Sequence, residues 1–548
     1  MHSLRYAMVK FLLATTTLAT TTLATTTLAT STLATSTLAT STLATSTLAL
    51  TTLLFVDSAR SEDWNQAAGP QGNFNVDGEA PIRFSATHND KVLWRTPLPN
   101  SGQGAAIVSN ERVFVASHAK INEDSEMGSL IVGQCFDAKT GELLWERELP
   151  GSRVTDFSSL FSDNTAASPV ADGKHVCFVN VGGMIRCFDF AGNEKWSYKW
   201  VPFGRHHARQ HEPVLHNGNV IVMQVPRADL DPKVTTKEGA KPLGRGKQYW
   251  THLLAFDLAT GKQSWQAECG TSVHAGSLIG RTASGQTAFL TGRGGGHQPP
   301  EDPYGVSLVN ANDGKTIWEI PIKGFPCAQN MAWNSKVACV FAGGKHLTID
   351  VDSGKIVTSV SVKQNVTVRR RVDGAYVTRV EKSIKGKKAI TNQTNCLVGD
   401  YHYFLAHDDF LIGRVNIVTG KVEYLQVPVQ VIRRKGKKDS SEWTKALPND
   451  MKTSNGFVAT QDRRNAGSGW GHVSAASPIV VGDKIYIPTM IGMVYVLKWN
   501  AEELDETAVM SISDLGPATE TWSLSNLSFA NGKLYARTLK ELICFGEK

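Results

Sequence analysis

Histidine and arginine crowd four short segments of this chain. GRHHARQHE carries His206, His207, Arg209 and His211; SVHAGS carries His274; GRGGGHQ carries Arg293 and His297; GSGWGHVS carries Trp470 and His472. Neutral imidazole nitrogen is a borderline ligand, so rings converging from several segments would hold a transition metal. Beside Arg209 and Arg293 the same rings would suit an anionic or organic ligand, with Trp470 as a stacking wall. The plain alternative is solvated loop histidines that never meet. Spacing does not choose among these. His207 and His211 stand four apart, but in a loop rather than on a helix, and no C-x-x-C occurs. The choice rests on the elements that carry the segments.

Those elements repeat. CFDAKTGELLW, with Asp137, Gly141 and Trp145, recurs as AFDLATGKQSW (Asp257, Gly261, Trp265) and LVNANDGKTIW (Asn310, Gly314, Trp318). Weaker copies are CFDFAGNEKW (Asp189, Gly192, Trp196), TIDVDSGKIVT (Asp350, Gly354, Thr358) and RVNIVTGKVEY (Asn416, Gly420, Tyr424). VYVLKWNAEELDE keeps the strand but has Lys498 at the acidic position. In each full copy an apolar strand ends on Asp or Asn, whose side chain can bond the turn amides. Gly then supplies a positive φ, and the next strand delivers a ring. Recurrence at roughly 40–65 residues, with four short strands per copy, predicts an all-β propeller of antiparallel blades. A single sheet cannot cover both of its faces, so the rings are expected to be buried between blades. Trp94, Trp145, Trp196, Trp265, Trp318 and Tyr424 are the docking residues on this reading.

Turn signals place eight blades, opening near Ala105, Ala166, Glu212, Val273, Gln329, Thr394, Ala475 and Ser523. The last has only three strands of its own. DKVLWRTPLP, from Asp90, is expected to supply the fourth and close the ring without an open edge. Loops entering the inner strands, and loops joining second to third strands, gather on one face of a propeller. All four histidine segments fall in such loops.

The A-x-D-x-x-T-G-x-x-x-W phrase resembles the repeat of the PQQ-like propellers, which include quinoprotein alcohol dehydrogenases and the outer-membrane assembly lipoprotein BamB. The resemblance covers about residues 90–548, and DWNQAAGPQGN at Asp63–Asn73 resembles the W-x-x-x-x-GP lead-in of secreted members. The dehydrogenase side of the resemblance implies a quinone stacked on a channel Trp beneath a ring of two vicinal cysteines. It also implies a calcium held by Glu, Asn and Asp oxygens, and an Asp as base. Calcium takes about six to eight oxygen ligands. Asp163, Asn164 and Trp470 can be cast in such roles, but this chain has no adjacent cysteines and lacks the long segments that enclose the cofactor. The resemblance therefore carries the fold and not the catalytic residues. Against BamB, no Cys precedes Cys135, so there is no lipobox, and inserted loops make the chain long for that group.

Residues 1–59 read as a signal peptide or membrane anchor with low-complexity TLATT and TLATS repeats, since Arg5 and Lys10 precede an uncharged run from Phe11 to Val56. Residues 60–89 read as a lead-in and 90–548 as the propeller, with inserted basic loops near 228–250, 363–393 and 430–467. Export to a periplasmic or extracellular location follows, with membrane contact only if the leader is uncleaved. A net charge of +7 is too small to imply nucleic acid. The runs Arg369–Arg371, Lys385–Lys388 and Arg433–Lys438 read as solvated loops or hairpins, or as a patch for an anionic lipid, glycan or acidic protein. Cys135, Cys187 and Cys544 share one place on the strand before the turn and should be small buried residues. Cys177 and Cys187 flank a turn within one hairpin; a disulfide there stays open. Two function classes remain. One is a monomeric, non-catalytic scaffold without cofactor, binding a protein, glycan or small ligand at the top of the channel. The other is a quinoprotein or metal-dependent oxidoreductase using PQQ with calcium, or a transition metal, in a histidine-lined channel.

Overall fold

A computed structural model describes residues 63–548 other than 103, 120–129, 153–166, 203–211, 225–226, 228–245, 273–276, 294–302, 324–330, 385–393, 407–408, 435, 455, 457, 459–469 and 471–475. Among the described residues the regular elements are strands, apart from short 3-10 turns at Lys247–Tyr249 and Glu506–Ala508. No helix among them is long and apolar enough to cross a membrane.

Eight sheets form the propeller expected from the repeat. Blades 1 to 7 span residues 107–150, 170–199, 214–266, 278–321, 331–361, 395–426 and 479–514. Blade 8 joins Ser528–Ala530, Lys533–Arg537 and Glu541–Phe545 to Val92–Pro97 at its outer edge, with Trp94 opposite Cys544. Middle strands are apolar on both faces because a neighbouring blade covers each side. His252–Asp257 is buried along almost its whole length, whereas the outer strand Gln263–Gln266 is largely exposed.

The repeated turn explains how blades meet. Asp137 accepts the amides of Lys139 and Thr140, each at 2.9 Å, which shapes the turn. Gly141 follows at φ +75°, and a Cβ there would sit 2.5 Å from the Trp94 ring. Only glycine allows both the backbone and the approach. Trp94 donates its indole N–H to Ala138 O at 3.1 Å, from blade 8 to the turn of blade 1. Trp145 reaches Phe190 O in blade 2 at 3.0 Å, Trp196 reaches Leu258 O in blade 3 at 2.7 Å, and Trp318 reaches Val351 O in blade 5 at 2.6 Å. Trp265 lies on the glycine turn of blade 4 at Gly314.

Burial of these rings is less uniform than the sequence suggests. Trp94 and Trp145 are buried, but Trp196, Trp265 and Trp318 are half-buried. Tyr424 is fully buried and differs in direction: its hydroxyl donates to Val362 O at 2.5 Å, back toward the end of blade 5.

The basic insert after blade 5 is not a solvated loop over its first part. Val366–Val372 and Ala375–Glu381 form a hairpin, and its first strand pairs parallel with Val422–Gln426 to extend blade 6. Arg369 is buried against Glu423 at 3.2 Å and also bonds Glu503 at 2.5 Å. Arg370 pairs with Glu381 and Asp409, and Arg371 lies over the Trp443 ring. In the next insert Arg433 pairs with Asp439 and Asp514. Four of the arginines that suggested an acidic-partner patch are thus engaged within the fold. Cys135, Cys187 and Cys544 are buried, and Cys177 and Cys187, directly paired across their strands, form a disulfide.

Candidate functional site

The residues before the first blade build one wall of the central channel. Trp64 is fully buried and its carbonyl accepts the Val108 amide of blade 1. Asn65 O accepts Ala171 N of blade 2, and Gln66 Oε1 accepts Leu215 N of blade 3. Gly72 presses on Ile279 of blade 4, where a Cβ would meet the Ile279 side chain at 2.0 Å. Asn75 donates to Leu397 O of blade 6, while Asn75–Val76 pairs parallel with Val480–Val481 of blade 7. Asn526 of blade 8 donates to Ala67 O. The stretch from Trp64 to Val76 is therefore a plug, bonded to inner strands around the ring. It could not be placed from sequence, where only its likeness to a lead-in motif was legible.

Against this plug lies a cavity in the channel. Its walls include Glu212, Ser277, Trp333, Asn395, Ser477 and Asn526, all on inner strands or just before them. Several polar atoms there already have partners. Glu212 Oε2 accepts Ser168 N at 2.5 Å, Asn395 Oδ1 faces His402 Nε2 at 2.8 Å, and the Asn526 amide donates to Ala67 O and Leu527 O. Trp333 spends its indole N–H on Leu278 O at 3.1 Å.

The sequence-derived site stands in relation to this cavity as follows. His206, His207, Arg209, His211, His274, His297 and His472 lie outside the described residues, as do Asp163 and Asn164. Of the rest, Arg293 ends the second strand of blade 4, is buried, and faces Glu319 at 3.3 Å. Trp470 is buried edge-on between Phe410 and Tyr495, with ring centroids 5.5 and 5.8 Å away. Among the described residues it packs between blades 6 and 7.

A different histidine cluster was missed. Cys339, His346 and His402 are buried together where blades 5 and 6 meet, with one ligand atom from each within 4.8 Å of the others. These residues sit inside the strands VACVFA, KHLTID and YHYFLA, where no local spacing links them.

Comparison with known proteins assigns the repeat. Residues 78–236 and, overlapping, 134–266 match the family model described as outer membrane protein assembly factor BamB, built on the PQQ repeat. The matched residues are similar to the repeats of that family. The matched region covers the first three blades together with Val92–Pro97 and leaves the later blades unmatched. No curated protein matches the chain. Among solved structures, BamB from Moraxella catarrhalis is similar at 10% identity and TM-score 0.42, covering 83% of this chain and 99% of that one. The quinohemoprotein alcohol dehydrogenase ADHIIG from Pseudomonas putida HK5 is similar at 11% identity and TM-score 0.48, covering 88% and 80%. That from Comamonas testosteroni is similar at 12% identity and TM-score 0.46, covering 91% and 82%. These distant likenesses carry no argument about activity.

The quinone and calcium of such dehydrogenases find a poor fit in the described channel wall. Glu212 is the one carboxylate among its lining residues, and its bonded oxygen already holds a backbone amide.

Proposed function

We propose that this PQQ-like propeller is a non-catalytic, exported scaffold that binds a protein, glycan or small ligand at the unplugged end of its channel. The observation that carries this reading is the plug itself. It fills one end of the channel from within the chain and leaves a cavity walled by amides, hydroxyls and an aromatic edge. Such a wall suits orientation of a neutral polar group more than bond-making chemistry. Trp94, Trp145, Trp196, Trp265 and Trp318 serve as docking residues that hold the ring rigid around it.

The histidine loops are proposed to rim the mouth. His211 is bonded directly to Glu212, His274 precedes Ser277 by three residues, and His472 precedes Ser477 by five. Export rests on the leader and on likeness to an outer-membrane assembly factor.

Thermal-shift screening of the full chain against glycan and peptide panels tests the reading. A true ligand should raise the Tm of wild type and leave Ser277→Trp, whose indole would fill the cavity, unmoved. Dehydrogenase turnover on addition of PQQ and calcium would replace the scaffold reading with an oxidoreductase.

A further inference from the structure

Blades 5 and 6 meet over three side chains for which the scaffold has no use. Cys339 lies on the second strand of blade 5, His346 on its third, and His402 on the second strand of blade 6. All three are fully buried. We propose that Cys339, His346 and His402 form a transition-metal site at this seam, for a soft or borderline ion such as Cu(I) or Zn(II).

The donor set chooses the ion class. One sulfur and two imidazole nitrogens suit ions that accept soft and borderline ligands, while calcium and magnesium demand oxygens. Burial pushes His346 down to about 4 and holds His402 well below the usual histidine range, the neighbouring His346 adding to the effect. Both rings are therefore neutral, the form that coordinates. His402 donates its Nε2–H to Asn395 Oδ1 at 2.8 Å, which aims its Nδ1 lone pair at His346 Nε2, 3.0 Å away. An outer carbonyl that fixes the tautomer is the usual support of a metal-bound imidazole.

The distances leave room for an ion. Two nitrogens each about 2.0–2.1 Å from one metal stand about 3.3–3.6 Å apart, so the rings need part only slightly. His346 Nδ1 makes no hydrogen bond although the ring is buried. No partner at Nδ1 fixes the tautomer of this ring, so Nε2 can take an ion while the hydrogen sits on Nδ1. The protons balance. The Cys339 thiol, which burial pushes up to about 12, loses its proton to solvent as the metal–Sγ bond forms. The proton between the rings moves from His346 Nε2 to Nδ1. Asn395, which holds the His402 ring, also lines the channel cavity.

Full-length protein without a polyhistidine tag, reconstituted with Cu(I) under reducing, oxygen-free conditions or with Zn(II), should hold one ion per chain by elemental analysis. Loading with Co(II) should give a thiolate-to-metal charge-transfer band. Cys339→Ser should abolish that band and lower retention at least tenfold, and His346→Gln should lower retention similarly. Cys396→Ser, at a buried cysteine outside the cluster, and His207→Ala with His211→Ala, in the histidine loop, should leave both unchanged. Natively folded wild type that takes up neither ion would overturn the proposal. So would uptake that survives Cys339→Ser and is lost with the loop histidines. Because Cys339→Ser is nearly isosteric, circular dichroism of that variant separates loss of metal from loss of fold.

Discussion

Trp145 shows how much one side chain does in this fold. Its ring fills the gap above Gly192 of the next blade, packs against Phe178 and Phe188, and spends its N–H on Phe190 O. Trp145→Ala should cost about 3–5 kcal/mol in chemical denaturation, as other large-to-small core changes do; an unchanged midpoint would show that the ring is not a docking residue. The turn aspartates make a second expectation, in acid. Asp137 is held below the ordinary carboxylate range chiefly by the Thr140 amide, and Asp257 chiefly by the Thr260 hydroxyl. Asp189, through the Asn193 amide, and Asp350, through the Ser353 hydroxyl, behave alike. Folded values lie below unfolded ones, so the stabilisation is full above about pH 4 and is lost as pH falls through the folded values. Tm measured from pH 7 to pH 2 should drop steeply at the acid end, and less steeply in Asp137→Asn with Asp257→Asn. The Asp, Gly and Trp of this phrase were legible in sequence because the chain repeats them at fixed spacing. Cys339, His346 and His402 were not, because their meeting depends on two blades and on no local pattern.

At the scale of elements, the joint between blades 6 and 7 replaces the indole with charge. Arg414, fully buried, pairs with Glu423 at 2.8 Å and donates to Ala501 O and Glu502 O of blade 7. Arg369 from the added hairpin joins the same Glu423 and reaches Leu504 O. Burial raises the Glu423 carboxyl, but Arg414 and Lys421 together outweigh it and the group is held below its ordinary value. Glu423→Gln would leave two buried guanidinium groups without their shared anion. It should destabilise the fold by roughly 3–5 kcal/mol in urea unfolding, and a near-neutral result would mean that solvent reaches this joint. The sequence marked these blades as drifting from the repeat. It could not show what replaced the ring, since Arg369 and Glu423 lie far apart in the chain and meet through a parallel strand pair.

Across the whole molecule, the residues before blade 1 are bound into the far end of the chain. Trp64 to Val76 plugs the channel, and Ala80 to Ala86 runs along blade 7, where Tyr486 donates to Ala80 O and Phe84 N to Ser513 Oγ. Val92–Pro97 then pairs with Glu541–Phe545. Deleting residues 61–98 should bare that strand edge and produce aggregation, seen by light scattering; a stable monomer would show that the ring does not need this strand. Within the plug, Gly72→Val would force a side chain into Ile279 at a positive φ. It should cost about 1–3 kcal/mol and make the segment cleavable by protease.

The sequence by itself determined the architecture. A turn that needs Asp, Gly and an aromatic at set offsets repeats, and blade number, strand order and the outer position of Val92–Pro97 all follow from local chemistry and from the need to cover both faces of each sheet. Only the tertiary structure decided what the channel is. The plug, the covered Trp470, the paired arginines and the buried Cys339–His346–His402 cluster arise from contacts between distant segments. Such contacts leave no periodic trace, because burial and partner choice are properties of neighbours in space rather than neighbours in chain.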